Sequence, residues 1–130
     1  MASTPPHSGD CIFCKILSGA IPSPRVFEDD QLIVIRDIAP QAPSHFLVIP
    51  KLHLESLDQA FPIESEGNVS TSHVELLGHM MKVGTQVARE QGLLPRGFRA
   101  VINTLSWGGQ SVFHLHLHIL GGKPLAGSFS

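Results

Sequence analysis

The chain has no basic cluster, no apolar run of membrane-spanning length and only two cysteines. Nine Lys and Arg stand against eleven Asp and Glu, for a formal net charge of −2. That balance lacks the electrostatic footprint of a protein that grips a nucleic-acid duplex or an anionic membrane, and neither is expected as a partner. The missing apolar run excludes a membrane-spanning helix. Cys11 and Cys14 lie three positions apart and cannot staple distant parts of a fold, so a reducing compartment is expected. Met1 to Pro6 shows no charged segment leading into an apolar run, which argues against a secretory signal. A cytoplasmic protein, with the nucleus as a second compartment, is the expectation. No internal repeat is present, and low complexity is confined to residues 1–9, rich in Ser, Pro and Gly and read as a disordered tail. The 130 residues, 42% of them hydrophobic, otherwise suit one soluble domain over 10–130 with a single core.

Cap and turn residues divide that domain. Asp10 is placed to cap a short helix over Cys11–Leu17, closed by Gly19 and followed by Pro22 and Pro24. Val26-Phe27-Glu28 and Leu32–Ile35 flank Asp29-Asp30 as a hairpin. Pro40 and Pro43 make 38–43 a loop, and His45–Pro50 is a third strand. Ser72 and Glu75 fit a capping box for the longest helix, which Gly92 closes. Its apolar residues form two adjoining stripes, Val74, Leu77, Met81, Gly84 and Ala88 beside Leu76, Met80, Val83 and Val87, both expected in the core. Arg99–Leu105 reads as a fourth strand, 106–110 as a loop and Val112–Leu120 as a fifth strand. Five short strands with one long and one short helix predict an α+β fold on a five-stranded antiparallel sheet.

The last of these strands carries the chemistry. His114, His116 and His118 alternate with Leu115, Leu117 and Ile119. An extended backbone therefore lines the imidazoles along one side and sends the apolar residues into a core. One histidine on a wet sheet face is commonly without a role. Three in register, directly after Gly108-Gly109-Gln110-Ser111, point to a reaction centre, because imidazole transfers protons, attacks electrophiles and ligates metals near neutral pH. Glycines admit close approach, and successive N–H groups in such a turn can cradle an anion. A phosphate held there would face a neutral imidazole able to attack phosphorus and split one displacement into two. Alternate side chains stand roughly 6.6–7 Å apart along a strand, so one phosphate lies in line with only the central ring. His116 is thus the nucleophile candidate and His118 the oxyanion partner. Rings spread along a strand do not converge on one ion, which disfavours a metal held by His114, His116 and His118 alone. Cys11-Ile12-Phe13-Cys14 is a second motif with three open readings: redox exchange, for which a preceding strand is missing; two buried structural thiols; or half of a zinc site.

His114-Leu115-His116-Leu117-His118-Ile119-Leu120 matches the histidine-triad signature. The similarity extends from Cys11 to about Pro124, through Phe27-Glu28-Asp29-Asp30, Asp37–Pro43, His45–Lys51 and Gly108–Ser111. The chain resembles the nucleotide-binding, purine nucleoside phosphoramidase branch of the histidine-triad (HIT) family. That resemblance implies a homodimer whose two sheets join into one, and binding of purine nucleoside monophosphates. It implies hydrolysis of P–N bonds as in adenosine 5′-phosphoramidate, with aminoacyl-adenylate cleavage beside it and no cofactor required for catalysis. His116 would become nucleotidylated, His118 and Asn103 would meet the α-phosphate side, and His45 would join a proton relay to His116. Gly109, Gln110, Ser111 and Val112 would surround the phosphate, with Ser111 toward the leaving group. Asp37 would accept both ribose hydroxyls, and Ile21, Ile35, Ile38 and Leu47 would sandwich the base. The chemistry agrees, since a carboxylate accepts two hydroxyls and an apolar slot suits a purine.

Each position also has a plainer reading: Asp37 an Asx turn, His45 a strand-edge histidine, Asn103 a loop-entry residue and the four apolar residues simple core. Relatives with the cysteine pair imply a structural zinc held by Cys11, Cys14, His53 and His114. A dinucleoside polyphosphate hydrolase and a nucleotide-binding interaction protein with vestigial catalysis are the rival functions; His116, Ser111 and His45 together weigh against the second. Three features depart from the family: a longer polar connection over 58–71, Trp107 where it would shield the pocket, and an end with Phe129 but no tryptophan. His7, His73 and His79 are assigned to the surface or tail, with no role.

Overall fold

Five strands form one antiparallel sheet in the order β1-β2-β3-β5-β4. They are β1 (Phe27–Glu28), β2 (Leu32–Arg36), β3 (Ser44–Pro50), β4 (Phe98–Val101) and β5 (Leu117–Gly121). Among the described residues three α-helices accompany them: α1 (Ile12–Ser18), α2 (Leu57–Ala60) and α3 (Thr71–Glu90). The structure is a computed structural model that describes residues 11–63 and 71–127. The expected tail, Asp10, residues 64–70 of the polar connection, His7 and Phe129 lie outside those residues.

Period-two alternation sorts the sheet into two faces. Leu32 and Val34, Phe46 and Val48, and Leu117 and Ile119 meet Leu76, Met80, Val83, Val87 and Ala88 of α3. Ile33 and Ile35 with Leu47 and Ile49 face the other way, against Phe13, Ile16 and both cysteines of the α1 segment. Gly84 sets the approach of α3, because a Cβ there would stand 3.0 Å from Ile119 Cδ1. The hairpin turn is closed by Asp29 Oδ1, which accepts the N–H groups of Gln31 at 2.8 Å and Leu32 at 2.9 Å. No described helix is long and apolar enough to cross a membrane.

Several elements differ from expectation for identifiable reasons. The cap of α1 is Cys11, whose Sγ accepts the Cys14 N–H at 3.2 Å, so the helix starts one residue later than predicted. Ser72 sits inside α3 and cannot cap it. One of the two apolar stripes is core throughout, and the other only in part: Gly84 and Ala88 are buried while Val74 and Met81 are exposed, because a single sheet covers less of the helix than both stripes span. β4 stops at Val101, and β5 begins only at Leu117. Ahead of it the Leu115 N–H leaves the ladder for Leu54 O at 2.7 Å. α2 is an additional turn of helix within the connection read as a loop. His73 and His79 are structural: His73 Nδ1 donates to Ala60 O at 2.7 Å, and His79 Nε2 meets Asp29 Oδ2 at 2.6 Å, tying α3 to the hairpin.

Candidate active site

Pairing of β3 with β5 places Leu47 opposite His118 on the α1 face of the sheet. Beside them opens a cleft of about 300 Å³, lined by Ile21, Ile35, Asp37, Ile38, Leu47, Ser111, Val112, His116 and His118. Nine of the residues singled out in the sequence thus meet in one cavity. The sequence reasoning missed Ile12, Phe13 and Ile16, which α1 adds to the same wall, together with Pro22, Ser23 and Arg36. Ile12 and Ile16 lie one helical turn apart, a spacing that could have flagged them. Phe13 packs nearly perpendicular to the His116 ring, with centroids 4.9 Å apart.

The irregular backbone before β5 shapes the two histidines. Leu115, Leu117 and Ile119 enter the α3 core as the alternation predicted, so the imidazoles take the other side. The rings of His116 and His118 nevertheless approach to 4.9 Å between centroids, closer than a regular strand would hold them. Their hydrogen bonds fix the tautomers. His116 Nδ1–H donates to His114 O at 2.7 Å, which leaves the Nε2 lone pair for the cleft. His45 Nδ1 accepts the Gln41 N–H at 3.0 Å, so its proton is on Nε2, 2.9 Å from His118 Nδ1. His118 Nδ1 is then an acceptor, and its Nε2–H is a donor. A nitrogen with an uncommitted lone pair and a hydrogen-bond donor therefore stand on neighbouring rings.

The relay expected between His45 and His116 is not present as a direct contact. His45 reaches His118, because the Nδ1 of His116 is already committed to a carbonyl. Burial lowers the proton affinity of all three rings, with Asp37 partly offsetting it. His118 is pushed down to about 4, first by burial and then by the neighbouring His116 and His45. At neutral pH the site holds uncharged imidazoles. Asp37, His45 and His118 also form a candidate metal-ligand group. The His45 tautomer opposes that use, since its Nε2 carries the proton.

Asn103, Gly109 and Gln110 do not line the cleft; they brace the loop that leads into it. Gln110 Oε1 accepts the Leu105 N–H at 2.8 Å, while its Nε2 donates to Glu55 O at 2.6 Å and Val112 O at 3.1 Å. Asn103 Nδ2 donates to Gly108 O at 2.7 Å. Trp107, on that loop, is fully exposed and outside the cleft lining, so it does not shield the pocket. Leu105 adopts φ 61° and ψ −178°, a region that glycine alone occupies at little cost. Its side chain is 44% exposed, so truncation gives up only part of a leucine's burial. Leu105→Gly is therefore expected to stabilise the fold by about 1 kcal/mol, the relieved strain exceeding the added freedom of the unfolded chain. A thermal midpoint at or below the wild-type value would contradict this.

A second cluster lies behind Phe13. Cys11 Sγ is 3.3 Å and Cys14 Sγ 3.5 Å from His114 Nδ1, Cys14 Sγ is 3.2 Å from His53 Nδ1, and the two Nδ1 atoms are 3.1 Å apart. His114 Nε2 donates to Pro50 O at 2.8 Å, which turns the Nδ1 lone pair inward. Tetrahedral zinc spaces nitrogen and sulfur donors about 3.3–3.8 Å apart, close to these values. Burial, then Cys11, pushes the Cys14 thiol up to about 12, a penalty that a bound cation reverses. The donor set fits a divalent metal with four protein ligands.

Comparison with known proteins agrees with this geometry. The family model described as "Scavenger mRNA decapping enzyme C-term binding" matches residues 10–127. The purine nucleoside phosphoramidase of Escherichia coli strain K12 is 40% identical over 116 residues, covering 89% of this chain and 90% of that protein. Among solved structures, a HIT family hydrolase from Legionella pneumophila Philadelphia 1 superposes with a TM-score of 0.80 at 41% identity, over 90% of this chain and 96% of that one. A Zn-bound histidine triad family protein from Mycobacterium smegmatis gives a TM-score of 0.71 at 36% identity, over 88% of this chain and 76% of that one. With its five-stranded sheet and paired histidines at one cleft, the chain belongs to the HIT family of hydrolases.

Proposed function

We propose that this protein is a purine nucleoside phosphoramidase acting on adenosine 5′-phosphoramidate-type substrates, with aminoacyl-adenylates as a further class. The observation that carries the reading is the open Nε2 of His116 beside the Nε2–H of His118 in a cleft with apolar walls. The volume of about 300 Å³ is at the lower end of small-molecule sites. Ile21, Ile35, Ile38 and Leu47 hold the base and Asp37 the ribose. The His116 Nε2 lone pair attacks the α-phosphorus; the new N–P bond forms as the substrate's P–N bond breaks. The departing amine takes up a proton from solvent, which the hydrolysis step returns, with the Ser111 hydroxyl bonded to it. His118 Nε2–H donates to a non-bridging oxygen, whose charge grows in the transition state. Water then attacks the nucleotidyl-histidine, releasing AMP and restoring neutral His116. The Asn103 and Gln110 side chains act by holding the loop that presents Ser111. No added cofactor takes part in these steps.

Two further parts complete the reading. Zinc is the metal for Cys11, Cys14, His53 and His114; with four protein ligands it leaves no open position, so its work is structural. Two copies pair through β4, an edge of the sheet, to make one continuous sheet in a homodimer. A substrate panel tests the activity. Adenosine 5′-phosphoramidate should give AMP and ammonia with kcat/KM above about 10⁴ M⁻¹s⁻¹, and a diadenosine polyphosphate should be cleaved more slowly. The opposite ranking identifies a dinucleotide hydrolase. Tight AMP binding without turnover of any substrate identifies an interaction protein.

A further inference from the structure

Asp37 stands where the cleft meets the histidine pair. Its Oδ1 accepts the Ala39 N–H at 2.8 Å, and its Oδ2 lies 3.4 Å from His45 Nε2. The same His45 Nε2 is 2.9 Å from His118 Nδ1. His45 has one proton to offer, because its Nδ1 already accepts the Gln41 N–H. One proton therefore faces two acceptors, a carboxylate at the cleft wall and the ring that presents a donor to the cleft. A ligand hydroxyl bonded to Oδ2 satisfies that oxygen and leaves the His45 N–H to His118. His118 with its Nδ1 held as an acceptor keeps its own proton on Nε2, the atom that the proposed mechanism assigns to the phosphate.

We propose that Asp37 is a positioning residue that transmits ribose occupancy through His45 to His118, so that the substrate's vicinal hydroxyls raise turnover as well as affinity. This rests on the reading of Asp37 as the ribose acceptor. The charge of Asp37 is felt at both rings, which it pushes toward protonation against the effect of burial. The bland Asx turn is also present, through Ala39, and it uses the other oxygen. The two roles are compatible.

The test compares adenosine 5′-phosphoramidate with its 2′,3′-dideoxy form on the wild type and on Asp37→Ala. Removing the hydroxyls should lower wild-type kcat about twofold to tenfold, the worth of one hydrogen bond, besides raising KM. With Asp37→Ala the two substrates should share one kcat, since no carboxylate competes for the His45 proton. Equal wild-type kcat values, with KM alone changed, would overturn the coupling while leaving the phosphoramidase reading intact. A second measurement needs neither turnover nor a variant. In 15N-imidazole spectra of the wild type, AMP should shift the His118 Nδ1 and His45 Nε2 signals, and 2′,3′-dideoxy-AMP should not. The same shifts from both ligands overturn the inference. Absence of turnover with either substrate refutes the phosphoramidase reading, and the spectra still decide the coupling.

Discussion

Replacing His116 by alanine should lower turnover of adenosine 5′-phosphoramidate by at least about 10³-fold and leave AMP binding in place. The asymmetry follows from where the ring sits. Base and ribose are assigned to Ile21, Ile35, Leu47 and Asp37, none of which bonds to His116. The ring itself is buried, held by its bond to the carbonyl of His114 and by the perpendicular ring of Phe13. Its contribution to ground-state binding is one apolar wall, whereas its Nε2 lone pair has no substitute. His118 cannot replace it, because its Nδ1 accepts from His45 and its Nε2 carries a proton. Calorimetric titration with AMP and a steady-state assay separate the two effects. Intact-mass analysis of rapidly quenched wild type should show a nucleotidyl adduct that the variant lacks. Comparable turnover by the variant would sink the assignment, and a matching thermal midpoint guards against simple unfolding.

Much of this was legible in the sequence because it depends on local periodicity. Alternating His and Leu dictate which side chains enter the α3 core, and that sorting holds even though the ladder begins only at Leu117. Where the ladder begins was not legible. It is set by pairing with β3, 69 residues earlier at Val48↔Leu117, and by the diversion of the Leu115 N–H to Leu54. The same reason hid the work of His73 and His79, whose partners lie 13 and 50 residues away. The proton positions were equally out of reach, since they depend on a backbone N–H at Gln41 and a carbonyl at His114. Gln110 shows the limit of motif reasoning. Its place beside Ser111 suggested a ligand contact, yet each of its side-chain polar atoms is bonded to backbone.

Loss of the metal should be the largest stability effect. Protein prepared without chelators is expected to hold about one zinc per chain, and stripping it, or Cys14→Ala, to lower the thermal midpoint by about 10 °C or more. The four ligands come from three separate places: the start of α1, the turn after β3, and the segment before β5. A metal there closes all three on one point. Without it, two buried thiols and two ring nitrogens crowd together within 4.8 Å of one another, four of their separations being 3.1–3.5 Å. Bound thiolates must be deprotonated, so metal affinity should fall as pH drops and protons compete for sulfur. The consequence reaches the cleft, because α1 supplies Ile12, Phe13 and Ile16 to its wall. Stripped protein should therefore bind AMP more weakly while His116 keeps its bond to His114. Protein that contains no metal, titrates two free thiols and melts unchanged in chelator would reduce the cluster to a pair of packed cysteines. The cleft would then depend on apolar contacts alone to hold α1, and Cys14→Ala would cost no more than the lost thiol packing.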